Sequence, residues 1–190
     1  MKSAQSVTLK RRDDAVAESP FLTDVKALRA QARKHIEEGA LTGNYKLDAE
    51  AAVRLLNDAL ATELVCTLRY RQHAFVARGI NAEPIAKEFM VHSGEELGHA
   101  DLLARRVVQL GGKPEFDPES LTGRSHAEYR TCETLDAMIR ENLIAERIAI
   151  ESYREMIQYF GEKDPTTRVM LEGILAMEEA HADELADLLG

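Results

Sequence analysis

EELGHAD, residues 95–101, returns almost unchanged as EEAHAD, residues 178–183. In both copies a Glu stands three residues before a His: Glu96 before His99, and Glu178 before His181. At about 100° per residue, positions i and i+3 lie on one face of a helix, one turn apart. Each word therefore sets a carboxylate and an imidazole side by side. Glu95 also shares a face with His99, as its i−4 neighbour. Glu179, however, is only two residues before His181 and points elsewhere. The spacing common to both copies is three, which selects Glu96 and Glu178.

Working outward, each word sits inside a long helical stripe. The first predicted helix covers 48–77, with Leu56, Leu60, Glu63, Thr67, Tyr70 and Ala74 on one face. The second covers 82–110 and carries Phe89, His92, Glu96, His99 and Leu103. The third covers 134–160 with Leu135, Ile139, Glu146, Ile150, Tyr153 and Ile157. The fourth opens at Asp164-Pro165, an N-cap followed by a proline in the first turn, and carries Leu171, Leu175, Glu178, His181 and Leu185. Each stripe steps by three or four residues, as one helix face must. Each is broken in its middle by Glu, or by Glu and His. Glycines at 79, 111, 112 and 161 end the first three helices.

The interval from Glu63 to Glu96 nearly equals that from Glu146 to Glu178, and Tyr70 and Tyr153 each follow their Glu by seven residues. The first helix pair thus recurs as the second. Short links within each pair and a long polar link, KPEFDPESLTGRSH, between them predict two antiparallel hairpins joined by a crossover. The expected fold is an all-α four-helix bundle over 48–190. A short amphipathic helix from Thr23 to about Glu38 and a connector precede it within 21–47. Residues 1–20 read as a mobile tail.

Composition narrows the function. The chain has 190 residues, 45 % hydrophobic and 30 % charged, which suits one globular domain with a full core. No apolar run reaches the length of a membrane span or a signal peptide, so a cytoplasmic location and no membrane partner are expected. A net charge of −9 argues against nucleic-acid binding by the whole surface. The local exception is Lys2, Lys10, Arg11 and Arg12 in the tail, where DNA contact is weakened by Asp13 and Asp14. Cys66 and Cys132 cannot make a CxxC site and read as small hydrophobes in a reducing compartment.

Four carboxylates and two imidazoles at mid-stripe, in a twofold repeat, point to a dinuclear metal centre. Without metal, the carboxylates would repel one another and lose their hydration; two divalent cations would match their charge. A donor set this rich in carboxylate suits Fe(II) or Mn(II) better than copper or zinc. Tyr70 and Tyr153 read either as hydrogen-bond donors to ligands across the bundle, with a redox role open, or as plain core residues. Asp101 and Asp183 read as orienters of a ligand imidazole on another helix, or as surface residues. His92 reads as a core histidine. His73 reads as a surface residue or a ligand on a metal-entry path. Cys66, three residues after Glu63, keeps a redox role open.

The motifs ATELVCTLRYRQH (61–73), SGEELGHAD (93–101), NLIAERIAIESYREMI (142–157) and ILAMEEAHADEL (174–185) resemble those of the ferritin-like diiron proteins, bacterioferritin above all. The resemblance covers about residues 48–189. It implies a centre of two iron ions, with Glu63 and His99 on one, Glu146 and His181 on the other, and Glu96 and Glu178 bridging. It implies oxidation of Fe(II) by O2 or H2O2, for iron storage and protection against oxidative stress. It also implies a homo-oligomer, from a dimer up to a 12-mer or 24-mer cage. Two departures stand out. Leu97 occupies the place of the bacterioferritin haem-ligating Met, so haem is not expected. Only nine residues follow His181, too few for the fifth helix of the 24-subunit cages; the smaller Dps-like cages lack that helix. Other functions consistent with the pattern are peroxide disposal at a dimetal site, as in manganese catalase, and a Dps-like cage that chiefly protects DNA.

Overall fold

The computed structural model describes residues 24–190. They fall into two units, one ending at Ile36 and one running from Glu37 to Gly190. The tail expected over 1–20, with its basic residues, lies outside the described part, as does Thr23. The first unit holds α1 (Val25–Gln31), capped by the Asp24 side chain, which accepts from the Lys26 N–H at 2.9 Å. The single helix expected up to about Glu38 is not formed. The chain leaves the α conformation after Gln31 and makes only a 3-10 turn at Ile36–Glu38. None of the residues of α1 is buried, so it lacks the packed face that would extend so short a helix.

The second unit is an all-helical bundle. Its long helices are α2 (Ala49–Val76), α3 (Ala82–Gln109), α5 (Leu135–Phe160) and α6 (Pro165–Asp187). Helix α2 packs on α3 and α5 on α6, with α2 against α5 and α3 against α6 closing the bundle. Asp48 caps α2, Thr134 caps α5 and Asp164 caps α6, each by accepting from backbone N–H groups one turn on. The second hairpin turns at Gly161, whose φ of 45° is costly for any residue with a Cβ. No helix among the described residues is long and apolar enough to cross a membrane.

The crossover must return the length of a 28-residue helix, about 40 Å. It does so pinned to α2. Asn57 donates to the Lys113 carbonyl at 3.1 Å and accepts from the Glu115 N–H at 3.0 Å. Thr62 accepts from the His126 N–H, and Arg69 donates to the Glu128 carbonyl. Within it lies a helix the sequence reading took for a loop, α4 (Pro118–Arg124). Asp117 caps it and Pro118 opens it, and its Leu121 is buried against Ala61 and Val65 of α2. At the start of the crossover, a Cβ on Gly112 would sit 2.6 Å from the Val53 methyls, so any larger residue would force the Val53 side chain to shift.

Apolar residues fill the two ends of the bundle. One cluster includes Leu56, Leu60, Leu103, Phe160 and Leu171; the other includes Phe89, Met138, Ile139 and Leu185. In each long helix the mid-stripe Glu and His residues lie between the two.

Asp164 ties three segments together at one end. It accepts from the Thr167 N–H and hydroxyl, from the Arg106 guanidinium at 2.9 Å and from the Tyr45 hydroxyl at 2.9 Å. Burial alone would raise its pKa. Its hydrogen bonds from Thr167, Arg106 and Tyr45 outweigh that and bring it below the ordinary value. Because the folded value is the lower one, its contribution is complete above the unfolded carboxylate range and is lost as pH falls through the folded value. Asp164→Ala, which strands the buried Arg106, should cost about 3–5 kcal/mol in urea unfolding at neutral pH. The cost should shrink at about pH 3; an equal cost at both pH values would contradict the assigned role.

Candidate metal centre

The six mid-stripe residues converge. Glu63, Glu96, Glu146 and Glu178 are each about 1 % exposed, and His99 and His181 are buried beside them. Their donor atoms form two groups, each within 4.8 Å: Glu63, Glu96, His99 and Glu178 in one, and Glu96, Glu146, Glu178 and His181 in the other. Glu96 and Glu178 belong to both.

The distances show what the groups suit. His99 Nδ1 faces three carboxylate oxygens, of Glu178 at 2.9 Å, Glu96 at 3.1 Å and Glu63 at 3.5 Å. A single N–H can point at only one of them well. His181 Nδ1 lies 3.4 Å from Glu96 Oε1, 3.9 Å from Glu178 Oε2 and 4.0 Å from Glu146 Oε2. Glu96 Oε1, Glu146 Oε2 and His181 Nδ1 are all buried without a hydrogen-bond partner. Two donors each about 2.1 Å from a common ion are about 3.0–3.4 Å apart. Four of these six separations lie in or within about 0.1 Å of that range, and the orphaned lone pairs fit a metal better than one another.

Protonation follows the same logic. Burial, then the charges of Glu146 and Glu63, push the Glu96 carboxyl well up. Burial, then Glu63 and Glu96, do the same to Glu178. Burial works against the His99 imidazolium, but hydrogen bonds to Glu178, Glu63 and Glu96 hold it up at about 12. Glu63 is the exception. Burial would raise it, but hydrogen bonds involving His99, Glu96 and Tyr153 bring it below its ordinary value. Glu96, Glu178 and His99 thus favour their protonated forms, a charge balance that cations could supply instead.

The tyrosines cross the bundle in a reciprocal pair. Tyr70 of α2 donates to Glu146 of α5, and Tyr153 of α5 donates to Glu63 of α2. Burial first, then the neighbouring carboxylates, push both phenols well up, so they remain donors at neutral pH. This matches the hydrogen-bonding alternative read from the sequence.

Of the two readings of Asp101 and Asp183, the surface one holds. Asp101 and Asp183 are exposed, and neither is hydrogen-bonded to a site imidazole. They project away because they lie two residues beyond His99 and His181, about 200° round the helix. The carboxylate that holds an imidazole is Glu95, 2.9 Å from His181 Nε2. Glu95, set aside as a ligand, is thus a partner of an imidazole in the predicted ligand set, and its position beside Glu96 on α3 was the available signal. His73 is neither exposed nor near the centre's donors. It is buried between Asn142 Oδ1 and the Arg130 carbonyl, both at 3.0 Å, and helps Arg69 hold the crossover. His92 is buried as expected, but its Nε2 lies 2.9 Å from Glu184 and its ring stacks on His181. Cys66 and Cys132 are both free thiols. Burial pushes the Cys66 thiol up.

A bundle of two helix hairpins around paired carboxylate–histidine sets defines a ferritin-like protein. The family model for the ferritin-like domain matches residues 53–190, so the chain belongs to that family. Among its relatives are the bacterioferritins of Rhodobacter capsulatus and Mycobacterium leprae. The first is 30 % identical over 70 % of this chain and 79 % of the relative. The second is 29 % identical over 70 % and 80 %. The fold is also that of a dodecameric thioferritin, the bacterioferritin-related protein of Bacteroides fragilis. That structure is 34 % identical, covers 76 % of this chain and 87 % of that one, and gives a TM-score of 0.73.

Cation binding must displace the protons that now hold the centre together. Titration of metal-free protein with Mn(II) near pH 7 should release at least about one proton per chain. Calorimetry in buffers of different ionisation enthalpy measures this directly; heats that do not depend on buffer would contradict it.

Proposed function

We propose that this protein is a ferroxidase, which binds two Fe(II) between its helix pairs and oxidises them for storage or detoxification. The observation that carries this reading is the sharing of Glu96 and Glu178 between two donor sets, the arrangement a bridged pair of ions needs. Its relatives support it. Bacterioferritins are among them, and a structure described as a ferritin-like, diiron-carboxylate protein from Bacillus anthracis is 26 % identical with a TM-score of 0.68.

Glu63 with His99, and Glu146 with His181, would hold one ion each, with Glu96 and Glu178 spanning both. Bound Fe(II) supplies one electron per ion, so a pair supplies the two that take O2 to H2O2 or H2O2 to water. The protein's own part is positional and electrostatic. Tyr70 and Tyr153 orient Glu146 and Glu63 by donating to them. Glu95 fixes the ring of His181 through Nε2 and leaves Nδ1 facing the shared carboxylates. The apolar clusters on either side exclude bulk water and leave the carboxylates few alternatives to a cation. Leu97, with no sulfur to offer, supports a haem-free protein. The chain's likeness to the dodecameric Bacteroides fragilis protein supports a homo-oligomer of that size.

Metal-free protein given Fe(II) in air should form ferric product at least about a hundredfold faster than the Glu96→Ala, Glu178→Ala double variant, followed by absorbance. Equal rates would refute the ferroxidase reading. Tyr70→Phe and Tyr153→Phe should each slow the reaction by about tenfold while the helical circular dichroism stays unchanged. No loss in either variant would remove the tyrosines from the mechanism.

A further inference from the structure

We infer that Glu88, His92 and Glu184 form a third cation site, separate from the dinuclear centre and open to solvent, that takes a divalent transition-metal ion. His92 Nε2 lies 2.9 Å from Glu184 Oε2 and 3.5 Å from Glu88 Oε1. The three donors fall within 4.8 Å of one another. As at the centre, one ring nitrogen faces two carboxylate oxygens at separations close to those of ligands sharing an ion. The ring is fully buried, while the Glu184 and Glu88 side chains are 54 % and 42 % exposed, so the site has a fixed inner ligand and an outer edge that meets water.

The internal repeat supplies a comparison within the chain. Shifting by the offset that superposes EELGHAD on EEAHAD carries Glu88, His92 and Glu184 onto Met170, Ile174 and Leu102. All three counterparts are apolar, and Ile174 is part of the core. A ferritin-like half therefore folds without a polar cluster at this position, and the fold does not demand one at the other. His92 Nδ1 is buried with no hydrogen-bond partner, so the ring is not placed there to satisfy a core network.

An imidazole with two carboxylates selects Fe(II), Mn(II), Co(II) or Zn(II) over Mg(II) and Ca(II), which prefer an all-oxygen shell. Exposed carboxylates and few protein ligands make the site weaker than the centre. Its place suggests its use. The His92 ring stacks on that of His181, with centroids 4.1 Å apart and planes 21° apart. An ion on His92 Nε2 is thus one imidazole away from the dinuclear centre. We assign the site as the loading point for ions bound for the centre, a role that rests on the proposed function although the site itself does not.

The probe is Co(II), titrated into metal-free full-length protein without oxygen and counted per chain after gel filtration. Wild type should take up three ions, and Glu88→Gln with Glu184→Gln should take up two. Both substitutions lie outside the core, so the variant keeps its fold. Equal uptake by the two proteins, or only two ions in wild type, overturns the site. The Glu96→Ala, Glu178→Ala protein separates this from failure of the centre: it should retain an ion that the added Gln pair removes. An ion that survives the Gln pair overturns the proposal whatever the centre does. For the loading role, the Gln pair should raise the KM for Fe(II) oxidation by about tenfold and leave kcat unchanged. A fall in kcat at unchanged KM overturns that role.

Discussion

Four carboxylates share the buried middle of the bundle, and their mutual repulsion constrains what surrounds them. Two such charges 4 Å apart repel by about 4 kcal/mol at the effective dielectric of protein sites. Glu63, Glu96, Glu146 and Glu178 have also lost nearly all contact with water. The layer persists because cationic or protonated groups are brought to it. His99 is held charged by three of the carboxylates, and Glu96 and Glu178 are driven toward their neutral forms. The two tyrosines each spend a buried hydroxyl on one carboxylate from the opposite helix pair. Cations relieve the same repulsion without protonating the carboxylates, which is why the layer reads as a binding site.

Holding that layer costs the bundle a continuous core. The apolar clusters are separated by it, so each end must be secured on its own terms. At one end this falls to Asp164, which joins α6, α3 and the connector through Tyr45. Along α2 it falls to Asn57, Thr62, Arg69 and His73, which grip the crossover mainly through its backbone groups. The crossover thus serves as a fifth packed strip along α2.

What could be read from the sequence follows from this division. Helix ends were legible because caps and glycines are local signals: the expected 82–110 and 134–160 became Ala82–Gln109 and Leu135–Phe160. That Glu96 rather than Glu95 joins the buried donor groups was legible because the repeat offered two samples of one spacing. Helix α4 was missed although Asp117-Pro118 carries the same start signal as Asp164-Pro165; its single buried Leu121 is too little for periodicity to register. Helix α1 was overextended because an amphipathic stripe was read where no core receives it. The burial of His73 and Arg69 was hidden because their partners are carbonyls of the crossover and Asn142 of α5, both remote in sequence. The Tyr–Glu pairs join residues far apart in sequence, and only the packing of α2 on α5 brings them together.

The repeat is a source of symmetry, and its departures from symmetry set the two donor groups apart. Glu95 holds His181, but the matching residue for His99 is Met177, which cannot hold an imidazole. His99 instead gathers three carboxylates at one nitrogen, while His181 is fixed from behind by Glu95 and from the side by His92. A ring clamped on two sides resists rotation more than one held only by the carboxylates in front of it. The clamped imidazole is also the one nearest the exposed carboxylates of Glu88 and Glu184. A duplicated fold thus carries two donor groups of one pattern in unlike surroundings, with a polar cluster beside His181 and apolar residues at the matching positions beside His99.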